Sequence, residues 1–236
     1  MCLAAVVALM GTTANAQFRQ SIFLNGALPT GQFASKVSND RGLITGTVPL
    51  YREEIAKSAT AGFGLGYRMS YRFDVGMGEV APFLQADVFW NFISSEWSDK
   101  YIQAKGKAPN YFNIPAMVGV SYLYDELWND ITPYAEFGVG ADLFIIGSEK
   151  AMIADGNVHT YSYKPSVALS WMIGAGAYFG RHVSAGIYYY GLGKHVISYT
   201  NKTYDSFSEI EKLKVETSAI PTRTVGELAV RIGFHF

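Results

Sequence analysis

The stretch TRTVGELAVRIGFHF, residues 222–236, contains side chains that alternate between two characters. One set is apolar throughout and consists of Leu228, Val230, Ile232, Phe234 and Phe236. The other set is polar or small and consists of Glu227, Ala229, Arg231, Gly233 and His235. Because successive side chains of a strand point to opposite faces, this alternation predicts a β-strand with one apolar and one polar face.

The composition of the whole chain favours an all-β membrane protein. Charged residues make up only 17%, compared with about 25% in an ordinary soluble domain. The chain also has 16 Tyr, 15 Phe and 24 Gly, and aromatic residues form the interfacial girdles of membrane barrels. Its formal net charge of -1 gives no reason to expect a nucleic-acid partner. On composition alone, a soluble β-sandwich is the alternative.

Residues 1–16 have the pattern of a secretory signal peptide. Cys2–Met10 is an apolar run, and Ala14-Asn15-Ala16 is a small-x-small cleavage site. No Lys or Arg precedes the apolar run, so we expect a shortened signal. Residues 17–236 are then predicted to form a single barrel domain. Because Cys2 is the only cysteine, no disulfide is expected in the mature chain.

Eight alternating segments follow the signal. Their predicted spans are Phe18–Asn25, Thr60–Phe73, Val80–Phe92, Tyr111–Tyr124, Ile131–Ile146, Pro165–Phe179, His182–Leu192 and Arg223–Phe236. Most of these segments reach the 9–11 residues that a membrane strand needs. The Gly26–Ala59 connection is long enough to hold a further hairpin, which would give ten strands instead of eight.

The connections between these segments alternate strictly in length. The short ones are Asp74–Glu79, Asp125–Asp130 and Gly180–Arg181. The long ones are Gly26–Ala59, Ile93–Asn110, Gly147–Lys164 and Gly193–Thr222. Outer-membrane barrels have this asymmetry, with short periplasmic turns and longer external loops. We therefore expect both termini on the periplasmic side.

The apolar face of these segments decides the orientation. Phe63, Leu65 and Met69 alternate with Gly64, Gly66 and similar small or polar residues. A Lys or Arg facing lipid at mid-bilayer would cost about 2–4 kcal/mol, and the apolar face carries no charge. The other face is too small and Gly-rich for a soluble surface, but it suits a narrow lumen filled by side chains. The sequence therefore predicts an all-β, closed, antiparallel up-and-down transmembrane β-barrel.

Over residues 18–236 the chain resembles small bacterial outer-membrane barrels of the OmpA/OmpX type and the "outer membrane protein β-barrel domain" group. The similar motifs are Asn113-Ile114-Pro115-Ala116-Met117-Val118-Gly119, Pro133-Tyr134-x-x-x-Gly138-x-Gly140 and the final Arg231–Phe236. The resemblance implies an outer-membrane location, surrounded by lipid and lipopolysaccharide. It also implies that the barrel-assembly machinery recognises the last strand, through Ile232, Phe234 and Phe236. It implies little about activity.

The strongest internal constellation consists of polar residues that all fall on predicted lumen faces. They are Arg68, Gln85, Asp87, Glu136, Glu227 and Arg231. An isolated ion in a dry interior costs several kcal/mol, so these charges must pair. We predict a salt-bridge network that plugs the barrel and has a structural role. A gated pore or proton path is the alternative, which would make the protein a narrow porin-like channel.

A lipid-modifying enzyme is a second alternative. His182-Val183-Ser184 is similar to the His-x-Ser pair of outer-membrane lipid A deacylases, with both side chains expected on one face. The pair follows a predicted periplasmic turn, whereas such enzymes act on the outer leaflet, and no acidic partner is near. His159, His195 and His235 are scattered, so neither a metal nor a cofactor is expected. A non-enzymatic protein is therefore favoured.

The long loops are predicted to carry any surface function. Their aromatic residues are Tyr51, Trp97, Tyr101, Tyr161, Tyr163, Tyr199, Tyr204 and Phe207. Exposed aromatics beside polar residues suit adhesion or binding of an extracellular ligand. They could equally cap the barrel or touch lipopolysaccharide. The mixed charges of Asp205–Glu216 are predicted to be a solvated loop face.

Overall fold

The computed structural model describes residues 17–35, 57–103, 106–124, 130–152, 157–204 and 212–236. Within these ranges the chain forms ten strands and one helix. They are β1 (Gln17–Thr30), β2 (Ala59–Asp74), β3 (Gly78–Ile93), α1 (Ser95–Gln103), β4 (Tyr111–Tyr124), β5 (Ile131–Ile146), β6 (Glu149–Met152), β7 (Val158–Tyr163), β8 (Ser166–Phe179), β9 (Val183–Tyr204) and β10 (Lys212–His235). In the described residues, no helix is long and apolar enough to cross a membrane.

Eight of the strands in the described ranges close into a ring. Each pairs with its neighbours in the antiparallel order β1-β2-β3-β4-β5-β8-β9-β10, and β10 pairs back with β1 from Ser21↔His235 to Thr30↔Gly226. The predicted closed up-and-down barrel is confirmed. The two further strands, β6 and β7, lie outside the ring. Most of the predicted extra hairpin in Gly26–Ala59 falls on residues 36–56, which lie outside the described residues.

The two faces of the ring have the predicted characters. Outward side chains such as Leu65 and Ile232 are 55% and 47% exposed, whereas Asp87 and Arg231 point inward and are 0% exposed. Aromatic side chains occur outward near both ends of the ring. Exposed examples are Phe18, Tyr71, Tyr122, Phe236 and Trp171. An apolar outer belt with aromatic margins around a polar interior is the pattern of a membrane barrel.

Glycines on the inner face make room for large neighbours. A Cβ at Gly66 would overlap the Asp87 carboxylate, and a Cβ at Gly174 would overlap the Tyr188 ring. Side chains from adjacent strands therefore lie directly against bare backbone. This explains why the inner face is at once rich in glycine and filled, as expected for a ring of this size.

The two ends of the ring differ in length. At the short-turn end, β2 joins β3 through residues 75–77, and β8 joins β9 through residues 180–182. At the opposite, long-loop end, β9 and β10 continue beyond the ring as a hairpin paired up to Tyr204↔Lys212. The prediction that Gly193–Thr222 is a loop is therefore wrong for most of its described length.

The extension carries a small sheet of its own. β7 pairs with β9 from Val158↔Tyr204 to Tyr163↔Tyr199, and β6 pairs with β7. Pro165, which lacks a backbone N–H, lies between β7 and β8 on this edge of β9. We call β6, β7, the part of β9 after residue 198 and the part of β10 before residue 221 the outer sheet.

Candidate functional site: the polar lumen

The first part of the site is a buried ion pair between β2 and β5. Arg68 Nη1 donates to Glu136 Oε2 at 2.7 Å, and its Nη2 bonds the other carboxylate oxygen. Arg68 Nε donates to Gln85 Oε1 at 2.7 Å. Ser121 Oγ donates to Glu136 Oε2 at 2.8 Å. This bidentate, charge-assisted geometry is the strong form of such a pair.

A second arginine extends the same group across the lumen. Arg231 Nη2 lies 3.1 Å from Asp87 Oδ1, and its Nη1 lies 4.0 Å from Glu136 Oε1. Its Nε donates to Asn25 Oδ1 at 2.8 Å. Tyr190 donates its hydroxyl hydrogen to Asp87 Oδ2 at 3.0 Å. These bonds join side chains of β1, β3, β9 and β10.

We call Arg68, Gln85, Asp87, Glu136 and Arg231 the inner charged layer. The guanidinium of Arg231 lies 4.1 Å from the centroid of the Tyr188 ring, and that of Arg68 lies 4.0 Å from the Phe83 centroid. Two cations thus face two carboxylates, with aromatic faces and amides completing their surroundings. Five of the six residues predicted to form the network lie together here, and their structural role stays a prediction.

Glu227, the sixth predicted member, lies in a different group. Asn91 Nδ2 donates to its Oε1 at 2.9 Å. Nearby, His195 Nε2 lies 3.2 Å from Asp142 Oδ2 and 2.9 Å from the carbonyl oxygen of Leu192. Glu227 precedes Arg231 by four positions, which is about 13 Å along a strand. Both side chains point into the lumen, but they lie at different heights along the barrel axis.

We call Asn91, Asn113, Asp142, His195 and Glu227 the outer polar layer. All five side chains are completely buried. The sequence patterns do not single out Asn91, Asn113 or Asp142 as site residues, and His195 is one of three scattered histidines. Inward position and polarity were the available signals. In β9 the inward-facing positions change from even to odd residue numbers near Gly193, which has a φ of 91°. A simple alternation along the strand therefore does not place His195 inside the lumen.

An aromatic group lies next to the outer polar layer at the long-loop end. The turn after β1 carries Phe33, which is fully buried and packs edge-on against Tyr111 at 5.3 Å and Phe144 at 5.7 Å between ring centroids. Phe144 in turn lies 5.2 Å from the ring of His195. The backbone N–H of Ala59 donates to the Phe33 carbonyl at 3.1 Å and fixes this turn over the mouth.

At the short-turn end, the lumen opens into a cavity of about 350 Å³ whose lining includes Arg19, Arg72 and Tyr178. Tyr178 packs against Tyr134 at 5.1 Å between ring centroids, and the Tyr134 and Tyr188 hydroxyls are 2.6 Å apart. These tyrosines lie between the cavity and the inner charged layer.

The His-x-Ser pair does not form. His182 lies in the turn before β9, and its Nδ1 is 3.0 Å from the carbonyl oxygen of His235. Ser184 is buried and instead bonds His235 Nε2 at 2.8 Å, while Ser21 bonds His235 Nδ1 at 2.7 Å. Two hydroxyls therefore hold this imidazole, and no carboxylate of the described residues hydrogen-bonds it, so the group lacks the third member of a hydrolytic triad there. Among the described residues, no cluster of His, Cys, Asp or Glu could hold a metal ion.

Several loop aromatics pack inward instead of facing solvent. Tyr101, Tyr161 and Tyr199 are buried, and Tyr161 and Tyr199 lie 5.9 Å apart edge-on. Tyr101 donates its hydroxyl hydrogen to Glu149 Oε2 at 2.9 Å. Burial, together with the neighbouring Glu149, raises the pKa of Tyr101 above its usual value. The expectation of exposed aromatics is thus wrong for these three, while Tyr51 and Phe207 lie outside the described residues.

No family profile and no curated sequence matches the chain. Solved structures with a similar fold include the outer membrane protein OprG from Pseudomonas aeruginosa, with 14% identity, 96% of this chain and 98% of that chain covered, and a TM-score of 0.42. A major outer membrane protein from Thermus thermophilus has 12% identity, coverage of 93% and 100%, and a TM-score of 0.47. Neisserial surface protein A has 11% identity, coverage of 94% and 99%, and a TM-score of 0.40.

Similarity at this level transfers no function to the chain. Its own features are more informative: a closed antiparallel ring, an apolar outer belt and a filled polar interior. The chain has the fold of an eight-stranded antiparallel membrane β-barrel.

Proposed function

We propose that this protein is a non-enzymatic outer-membrane barrel with a sealed lumen, which holds the outer sheet at the cell surface for contact with lipopolysaccharide or an extracellular ligand. The inner charged layer carries the proposal. Its hydrogen bonds link side chains of β1, β2, β3, β4, β5, β9 and β10 across the lumen. Because hydrogen bonds across the lumen close the barrel, it serves as a membrane anchor for the outer sheet and not as an ion channel.

The belt and the ends of the ring support the proposed placement. Charge-free apolar side chains face outward, where lipid would contact them. The short-turn end, with both termini, would lie in the periplasm. Ile232, Phe234 and Phe236 are exposed on the last strand, where the barrel-assembly machinery could bind them.

The outer sheet suits a surface role because it is continuous with the ring. The β9–β10 hairpin is paired from Val183↔Phe234 to Tyr204↔Lys212, so bilayer and surface segments form one ladder. Buried Tyr161 and Tyr199 give the sheet an apolar side of its own. Such an extension would present a fixed surface to a partner, in contrast to a mobile loop.

A narrow channel is the second candidate. The short-turn cavity and the outer polar layer are both polar, and the inner charged layer with its neighbouring tyrosines lies between them. In a channel, Arg68 or Arg231 and the neighbouring tyrosines would have to move to connect the two regions. Ion conductance distinguishes a channel from a sealed barrel.

Cysteine labelling tests the proposed placement, because Cys2, the only cysteine, lies in the predicted signal peptide. Thr217→Cys places a thiol at an exposed position of the outer sheet, and Met77→Cys places one in an exposed short turn. A membrane-impermeant maleimide should label Thr217→Cys on intact Gram-negative cells, and Met77→Cys only after the outer membrane is permeabilised. Labelling with the opposite pattern would refute the placement.

A further inference from the structure

The outer polar layer contains an unusual concentration of buried polar atoms without a protein partner. Asn91 Oδ1, both amide atoms of Asn113, His195 Nδ1 and Glu227 Oε2 have no hydrogen-bond partner among the described residues. Neither Asp142 oxygen has a hydrogen bond of good geometry in the described residues, and His195 Nε2 lies 3.2 Å from Oδ2. Buried polar groups in folded proteins are satisfied by protein, water or ligand. The layer therefore marks a place whose hydrogen-bond partners are not groups of the described residues.

These side chains face one another across the lumen. Asn91 pairs with Tyr111 on the adjacent strand, so Asn113 lies two residues further along that strand and on the same face. Asn113 pairs with Phe144 on the next strand, so Asp142 lies two residues away along that strand and on the same face. From the other wall, Glu227 is joined to Asn91 by a hydrogen bond. His195 likewise reaches Asp142 from β9. The five residues thus form one group at one height in the lumen.

The free atoms are mainly hydrogen-bond acceptors. His195 Nε2 lies between two acceptors, the Leu192 carbonyl and the Asp142 carboxylate, so Nε2 carries the proton. In the neutral ring Nδ1 is then a lone-pair acceptor. Two carboxylates lie in the layer, and no Lys or Arg of the described residues hydrogen-bonds either of them. An occupant that supplies hydrogen-bond donors and positive charge would satisfy these atoms.

We propose that the outer polar layer is a binding site for a small cation bearing N–H groups, that is, an ammonium ion or a primary aliphatic amine. The carboxylates of Asp142 and Glu227 accept its hydrogen bonds, and Asn91 and Asn113 complete its coordination. The rings of Phe33, Tyr111 and Phe144 pack together beside the layer at the long-loop end, and aromatic rings are favourable neighbours for a cation. A directly bound metal ion fits less well, because the described residues contain no metal-ligand cluster.

The test uses the full folded chain in detergent, with methylammonium chloride as the probe. Tetramethylammonium chloride at equal ionic strength is the comparison, because it carries the same charge but has no N–H and is larger. Methylammonium should raise the midpoint of thermal unfolding in a saturable manner, whereas tetramethylammonium should not. Equal effects of the two salts would overturn the proposal, since they would indicate that the layer holds only water.

Isosteric variants locate the effect. Asp142→Asn and Glu227→Gln should each weaken methylammonium binding about tenfold or more, because a charge-assisted hydrogen bond is lost. Glu79→Gln removes the same charge at the short-turn end and should leave the wild-type affinity unchanged. Wild-type affinity in both layer variants would contradict the proposal.

A lid variant gives an independent readout that keeps all the binding groups. Phe33→Ala should accelerate exchange of methylammonium with the site, measured by NMR line broadening of the probe as a fold-change in dissociation rate. An unchanged exchange rate would show that the probe does not pass the aromatic group, and the assigned site would be wrong.

Discussion

The inner charged layer and the outer polar layer occupy the same lumen and are buried to the same degree, but they differ in how their charges are matched. Each contains two carboxylates: Asp87 and Glu136 in the inner layer, Asp142 and Glu227 in the outer. The inner pair faces two arginines, whereas the outer pair has one histidine and two amides. Burial alone therefore does not separate a structural plug from a binding site; the completeness of pairing does.

The largest loss of stability is expected for Arg231→Ala. Removing this guanidinium leaves the Asp87 carboxylate buried with only neutral partners, Tyr190, Asn25 and Gln85. Breaking a buried pair by removing one partner costs about 3–5 kcal/mol. The free energy of unfolding in urea should fall by that amount. A loss below about 1 kcal/mol would show that the inner layer is not a structural network.

The next contrast compares the two layers directly through Glu136→Gln and Glu227→Gln. In the inner layer the substitution weakens charge-assisted bonds to Arg68, so we expect a loss of about 2 kcal/mol. In the outer layer it removes an unmatched buried charge, so stability should be unchanged or raised by about 1 kcal/mol. Urea unfolding of both variants measures the difference. Equal losses would remove the distinction between the layers.

A methyl group tests how tightly the inner layer is filled. Gly66→Ala pushes a Cβ into the Asp87 carboxylate and should cost about 1–3 kcal/mol. Gly26→Ala is the matched control, because Gly26 lies on the outer face, where the nearest atom to the new Cβ is 3.9 Å away. Its effect on unfolding should stay within about 0.5 kcal/mol. Similar costs at both positions would indicate a loosely packed lumen.

The smallest effect is expected at the short-turn end. Arg72 and Glu79 form a 3.2 Å ion pair, but the Glu79 side chain is 41% exposed. Solvent-exposed pairs contribute about 0–1 kcal/mol. Arg72→Ala should therefore lower the unfolding free energy by less than about 1 kcal/mol. A larger loss would mean that pairing at the mouth matters as much as pairing in the inner layer.

The ring was predictable from the sequence because alternation reports which face a residue occupies. β4 and β5 have the predicted bounds, and the apolar set faces outward throughout the ring. The outer halves of β9 and β10 were missed for two physical reasons. Outside the bilayer neither face must be apolar, and register shifts at Ile220/Arg223 and Val225/Gly226 break the parity.

The site was predictable only in part because alternation gives the face but not the level. Arg68 and Gln85 oppose each other in the β2–β3 register, and Arg231 opposes Asn25 across the β1–β10 closure. Such levels depend on how the strands are staggered around the ring, which a single sequence does not specify. The sequence pattern therefore does not distinguish the height of Glu227 along the barrel axis from that of Arg231. The outer polar layer was missed for the same reason.

Ion conductance in a planar bilayer tests the sealed lumen most directly. If the inner charged layer closes the barrel, the wild-type protein should show no steady conductance above the bilayer leak. Arg231→Ala, which removes its central cation, should then produce measurable openings. A steady, ohmic conductance of the wild type that Arg231→Ala leaves unchanged would contradict the account, because ions would then be crossing a lumen that the inner charged layer does not block.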